Sequence, residues 1–233
     1  MVAAYLHLSR NDRNRFVFLE KGSDINMAPA VSVIIPTFNS GVYLDQTLGS
    51  IKAQTYQDLE VIIVDGGSSD ETRTIVSKWN ENGLVIKFIE DLTDQGPAHS
   101  RLAGIKTVNS EFIAFLDSDD FWTPNKLEMQ LKYMQSKQLD FTFTDYRIVD
   151  KENNIGKKIY SGHTTNTFEQ YLSRRGIVNS SVIIRRSVIG SVWDDAVMHI
   201  HGEDTLWWLK LMKECATTAV RLPEAHLYYR KNP

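Results

Sequence analysis

The sequence predicts an α/β fold, with a mainly parallel sheet flanked by helices and a smaller mixed α+β half after it. Three observations carry this. Four short, near-continuous apolar runs occupy residues 31–35, 61–64, 85–89 and 112–116. Stretches with apolar residues at helical spacing lie between them. After about Phe141 this alternation gives way to shorter strands and turns. Strands that are apolar throughout are covered on both faces, which is the setting of a parallel sheet.

The first strand, 31–35, closes at Pro36, and Leu44, Leu48 and Ile51 then recur at helical spacing. After the strand at 61–64, Ser68 and Glu71 form a capping-box pattern for a helix with Ile75, Val76 and Trp79 on its apolar face. A strand at 85–89, a helix over about 97–108 and a strand at 112–116 follow. Thr123 and Pro124 suit the cap and first turn of a helix that continues through Leu127, Leu131 and Met134. In the second half, 141–146 reads as a strand, 151–156 as a polar turn, 181–185 as a strand and 203–213 as a helix. Two short strands are expected at 216–220 and 227–229. No repeat, low-complexity tract or linker separates the halves. Residues 27–122 and 123–233 are therefore expected to form one unit, with 1–26 as an N-terminal extension and Met27 as an alternative start.

The chain has 233 residues, 42% of them hydrophobic, which suits one domain with a sizeable core. Its net charge of -3, from 26 basic and 29 acidic residues, lacks the basic excess of a nucleic-acid binder. The single cysteine, Cys215, cannot form an internal disulfide, so a reducing, cytoplasmic setting is expected, with Cys215 as a core residue. No apolar run approaches the roughly 20 residues of a membrane span. The apolar stretch 2–8 runs into Arg10, Asp12, Arg13 and Arg15, unlike a secretory signal. Arg10, Arg13, Arg15 and Lys21, with Phe16, Phe18 and Leu19, leave open a peripheral contact with anionic lipid at the inner face of a membrane.

Ligands of such sheets bind at the carboxyl ends of the strands, which selects 36–39, 65–69 and 117–120 for inspection. Asp117, Asp119 and Asp120 crowd one turn with Ser118. Crowded carboxylates repel unless a cation joins them, and a hard divalent ion such as Mg²⁺ or Mn²⁺ suits oxygen ligands. The same turn also reads as an ordinary acidic cap. In the run Asp65, Gly66, Gly67, Ser68, Ser69, Asp70, the glycines permit a tight turn and close ligand approach. It is not a P-loop, because the lysine and the spacing are missing. His199, His201, Glu203 and Asp204 admit three readings: a metallohydrolase fragment, a helix cap, or a carboxylate poised as a general base.

Taken together, these motifs resemble the family 2 glycosyltransferases, which have the GT-A, Rossmann-like fold, over about residues 31–211. The resemblance implies that Pro36, Thr37 and Asn39 contact the nucleoside and that Asp65 accepts a hydrogen bond from the base. It places Asp117 by the ribose, Ser118 among the nucleotide-binding residues, and Asp119 on a Mn²⁺ or Mg²⁺ ion that bridges the diphosphate. Arg101, kept from a segment that often reads Ala-Arg-Asn, would face the diphosphate, while Leu102 replaces the asparagine. Gly66 stands where many members have a second aspartate. Asp204 would deprotonate the acceptor hydroxyl. Glu203, Trp207 and His201 are acceptor-side candidates, with Asn179, Ser180, Ser181, Trp193, His199 and Trp208 behind them. The implied reaction inverts the anomeric carbon in one displacement. It moves a sugar from a nucleotide-diphosphate donor, a UDP-sugar by default, to a glycan or lipid-linked acceptor in polysaccharide or glycan synthesis. Two alternatives are weighed. A nucleotidyltransferase of this fold needs a glycine-rich, arginine-containing loop after the first strand, and 36–40 has neither feature. A catalytically inactive sugar-nucleotide-binding relative should have lost Asp119 or Asp204, and both are present.

Overall fold

The computed structural model describes residues 28–91, 96–173, 176–189 and 203–231, together with the backbone of 14–17; Glu203 is described by its backbone alone. Its centre is four parallel strands, β2 (Val31–Thr37), β3 (Leu59–Asp65), β4 (Ile86–Asp91) and β5 (Phe112–Phe115), in the order β4-β3-β2-β5. An edge strand, β1 (Asn14–Val17), pairs antiparallel with β4.

Side chains alternate across these strands, as the period of a strand requires. Val33, Ile35, Val61 and Ile63 enter one core cluster, and Ile34, Ile62 and Val64 the other. Helices α1 (Gly41–Lys52), α2 (Thr72–Glu81) and α4 (Lys126–Lys137) cover the first face through Leu44, Leu48, Ile51, Val76, Leu127, Leu131 and Met134. Helices α3 (Pro97–Ile105), α5 (Phe168–Ser173), α6 (Arg186–Ile189) and α7 (Glu203–Glu214) cover the second through Ala98, Leu102, Tyr171, Ile189, Trp207 and Trp208. Burial on both faces is why the strands read as unbroken apolar runs. Cys215 is half-buried against the second core, with its thiol donating to the Val188 carbonyl at 3.0 Å.

Beyond β5 the sheet continues into the second half of the chain with mixed pairing. Strand β10 (Ile183–Arg185) lies antiparallel between β5 and β7 (Phe141–Val149). Strand β7 runs parallel to β11 (Ala219–Arg230), and β6 (Phe121–Trp122) closes that edge. Two short additions, β8 (Ile155–Tyr160) and β9 (Thr165–Asn166), pair with β7 and β11. A single sheet therefore spans both halves among the described residues. None of the described helices is long and apolar enough to cross a membrane.

Four local expectations are corrected. Ser68 and Glu71 make no capping box, because Ser68 is used in the turn before it. Asp70 instead receives the Thr72 N–H of α2 at 3.0 Å and the Gly41 N–H of α1 at 2.7 Å, serving two helix starts at once. Thr123 and Pro124 do not open α4, which begins at Lys126; the Thr123 hydroxyl is bonded to His226 Nδ1 at 2.8 Å. The polar turn expected at 151–156 ends earlier, since Ile155 and Gly156 already belong to β8. The two short strands expected near the end are one strand, β11, with register shifts between Leu222 and Leu227. Pro223 and Glu224 break the apolar alternation there, and a bulge carries the strand past them.

Candidate active site

The carboxyl ends of the parallel strands open onto a cleft of about 350 Å³. Its wall is made by Pro36, Thr37 and Phe38 from the end of β2, Gly66 after β3 and Asp91 at the end of β4. The amino end of α3 supplies Gly96, Pro97, Ser100 and Arg101, and the turn after β5 supplies Asp117, Ser118 and Asp119.

The β2 and β3 turns are built as one piece. Asp65 is 2% exposed. Its Oδ1 accepts from the Thr37 hydroxyl at 2.9 Å and the Ser68 hydroxyl at 2.5 Å. Its Oδ2 accepts from the backbone N–H groups of Gly67 at 3.2 Å and Ser68 at 2.9 Å. Gly67 has φ of 91°, a conformation glycine adopts without strain. Asn39 Oδ1 accepts from the Ser69 N–H at 2.9 Å, and the Asn39 N–H donates to the Ser68 hydroxyl at 2.8 Å. Asp65 and Asn39 thus fasten the two loops to each other. Gly66 presents its backbone to the cleft.

The acidic turn is held by its carbonyls. The Asp117 carbonyl accepts from the Asp120 N–H at 3.1 Å. The Thr47 hydroxyl lies 2.9 Å from the Ser118 carbonyl and 2.8 Å from that of Asp120. Arg230 Nε donates to the Asp119 carbonyl at 2.9 Å. The Asp117 N–H donates to the Ser180 hydroxyl at 3.0 Å. With its backbone engaged on the protein side, the turn offers Asp117, Ser118 and Asp119 to the cleft. Arg101, 4% exposed, pairs through Nη2 with Asp117 Oδ1. Burial, and then the charge of Asp117, push the Asp119 carboxyl up to about 6. Burial with Asp117 and Asp119 pushes Asp120 well above the ordinary carboxylate range. Negative charge is therefore crowded at this end of the cleft.

Asp204 lies half-buried in the first turn of α7, where its Oδ1 accepts from the Thr205 N–H at 2.6 Å. Among the described residues a chain of contacts ties this helix to the acidic turn. Trp208 Nε1 donates to Asn179 Oδ1 at 3.1 Å, and the neighbouring Ser180 holds Asp117.

Several acceptor-side expectations are corrected by burial. Trp207 is 4% exposed and packs on Phe115 with ring centroids 6.0 Å apart, so its face is not offered to a sugar. Trp208, at 1%, lies in the same core. Asn179, Ser180 and Ser181 are buried scaffolding. Trp193, His199 and His201 lie outside the described residues, as does the side chain of Glu203. Sequence reasoning included Phe38 in the 36–39 loop without a role of its own, and gave none to Asp91, whose Oδ2 lies 2.6 Å from His99 Nδ1. Asp91 sits at the carboxyl end of β4, the signal that would have found it.

The sequence profile of Glycosyl transferase family 2 matches residues 32–193. The chain belongs to the family 2 glycosyltransferases. It is 30% identical over 190 residues to WfgD of Escherichia coli, a UDP-Glc:alpha-D-GlcNAc-diphosphoundecaprenol beta-1,3-glucosyltransferase, covering 82% of this chain and 72% of that one. It is 31% identical over 205 residues to an uncharacterized glycosyltransferase of Haemophilus influenzae, covering 87% and 79%. Among solved structures it superposes on S. aureus TarS 1-349 in complex with UDP at a TM-score of 0.70 and 25% identity, covering 87% of this chain and 61% of that one. The TarS complex with UDP-GlcNAc gives the same TM-score and identity, with 59% of that chain covered. The chain thus spans about three fifths of those TarS chains. The GT-A fold expected from the motifs is the fold observed.

Proposed function

We propose that this family 2 glycosyltransferase takes a UDP-sugar in the cleft and transfers the sugar, with inversion, to a hydroxyl of a lipid-linked glycan. One observation carries the reading: the β2 loop, the β3 turn, the amino end of α3 and the acidic turn meet around a single cleft. Uridine is supported by the UDP and UDP-GlcNAc complexes of TarS, and the lipid-linked acceptor by the diphosphoundecaprenol in the name of WfgD. Phe38, 57% exposed at the cleft lip, offers a ring face to the base. Asp65 acts through the turn it holds, which brings Gly66 to the same wall. The amino end of α3 favours the diphosphate, because helix starts carry unpaired N–H groups and a positive dipole end.

Among the described residues no three histidine, cysteine, aspartate or glutamate side chains cluster as a metal cage. The residues present fit a different arrangement. A Mg²⁺ or Mn²⁺ ion shared with a substrate needs only one or two carboxylates and takes phosphate oxygens for the rest. The crowded negative charge at Asp117 and Asp119 suits such an ion, and Asp119 would be its protein ligand. When bound, the ion would offset the charge of the departing diphosphate.

On the acceptor side, Asp204 would take the proton from the hydroxyl as its oxygen attacks the anomeric carbon opposite the leaving UDP. Arg101 keeps the Asp117 carboxylate in place at the ribose end. Calorimetry of UDP, GDP and dTDP with and without Mn²⁺ tests the donor. Metal-dependent binding of UDP, lost in Asp119→Ala, is the expected result. Equal UDP affinity in that variant with Mn²⁺ present would remove the metal role.

A further inference from the structure

Arg230 closes β11, far along the chain from every motif above, and is 1% exposed. Its backbone N–H donates to Asp120 Oδ1 at 2.7 Å and its Nε to the Asp119 carbonyl at 2.9 Å. Nη1 donates to the Asp150 carbonyl at 2.8 Å. Nη2 donates to Gln46 Oε1 at 2.7 Å and to Asn153 Oδ1 at 2.9 Å. The guanidinium carbon lies 4.3 Å from the centre of the Tyr43 ring. A buried arginine commonly meets a carboxylate in an ion pair, yet the partners of this guanidinium are two carbonyls and two amides. Its flat fork is engaged in joining three pieces of chain: the acidic turn, the turn between β7 and β8, and α1.

We propose that Arg230 is a positioning residue for Asp119. It holds the acidic turn from behind by the carbonyl of the residue whose carboxylate faces the cleft. Through Asn153 and Asp150 it braces that grip against the β7–β8 turn, and through Gln46 and Tyr43 against α1. Thr47 of the same helix holds the carbonyls on either side, so the turn is fixed at consecutive peptides. Lysine carries the charge but not the fork, and cannot bridge these partners together. The inference rests on the reading that Asp119 meets the donor, and the experiment separates the two.

Arg230→Lys is compared with Asn153→Gly and with a core control, Ile184→Val. Asn153 is exposed and has φ of 68°, so glycine keeps its backbone while removing the amide that anchors Arg230. Three quantities are read: melting temperature, hydrogen exchange of amides 117–120 in the unliganded protein, and UDP affinity at saturating Mn²⁺. Arg230→Lys should weaken UDP about tenfold, near the lower end for hydrogen bonds to charged groups, and Asn153→Gly about threefold, the scale of one ordinary hydrogen bond. Both should speed exchange at 117–120. Ile184→Val should lower the melting temperature comparably with Asn153→Gly and leave affinity and that exchange unchanged. If Arg230→Lys does not fold, Asn153→Gly and Gln46→Ala decide. UDP affinity within about twofold of the unaltered protein in the folded variants, or changes that merely follow stability as in the control, would overturn the role of Arg230 and leave the donor site standing. No UDP binding by the unaltered protein would overturn the donor site and this inference together.

Discussion

Gly104→Ala gives a sharp test of how α3 is seated. A Cβ at Gly104 would lie 2.8 Å from Ile34 Cγ2 and 3.4 Å from Val64 Cγ2. Carbon atoms pack best at about 3.5–4.0 Å, so the helix must retreat by roughly 0.7 Å or the strand must yield. Ile34 is 0% exposed and sits on the central strand β2, with β3 and β5 paired on either side, so the strand holds. Two energies oppose. Alanine in a helix is favoured over glycine by about 1 kcal/mol, while overpacking a tight core costs about 1–3 kcal/mol. The clash wins, for a net loss of about 1 kcal/mol. The retreat also carries Pro97, Ser100 and Arg101 away from the cleft. Misplacements of this size cost up to about a hundredfold in demanding geometries, and a fewfold loss of UDP affinity is expected for a binding wall. Urea unfolding and calorimetry read both effects. In an Ile34→Ala background the clashing methyls are gone, and Gly104→Ala should become neutral or stabilising. A single variant more stable than the parent, with unchanged UDP affinity, would show that α3 is not seated against Ile34 as tightly as described.

Two further predictions concern other elements. Asp204→Asn should leave UDP binding intact and cut turnover by about 10²-fold or more, the usual scale for a lost general base; full turnover would remove that assignment. Lys126 is 0% exposed, with its ammonium 2.9 Å from Gln130 Oε1 and 4.2 Å from the Trp122 ring centre, and burial holds its pKa well below 10.5. Unfolding then takes up a proton below 10.5, so this group's contribution to stability is lost as the pH falls. Just below pH 10.5 stability should therefore fall as the pH is lowered, and Lys126→Met removes that part of the dependence; parallel urea profiles for the two proteins would contradict this.

The parallel core was legible because burial on both faces writes itself as apolar runs, and 31–35 or 61–64 need no tertiary information. The second half was harder. Strand β11 survives Pro223 only because β7 pairs with it across a bulge, a long-range fact that local alternation cannot show. The capping pattern at Ser68 and Glu71 was locally sound, but Ser68 was claimed by Asp65 of its own turn and by the Asn39 N–H of the β2 loop. The same limit applies within the site. The acidic turn was found by its crowded carboxylates, and Arg101 by its place in a motif. Arg230 carries no motif-like context, and its role exists only where β11 returns to the turn. Trp207 and Trp208 were candidates for a sugar platform as well as for the core, because aromatic residues serve in both. Only packing against Phe115 decided for the core.

The proposed function places the nucleotide in the cleft at the carboxyl ends of β2, β3 and β5. A crystal structure with UDP and Mn²⁺ tests it most directly. The uracil is expected beside Phe38 and Gly66, with the diphosphate between the amino end of α3 and Asp119 and the ion bound to the Asp119 carboxylate. A nucleotide seated elsewhere, such as the polar cleft lined by His163, Thr165 and Gln170, would contradict it.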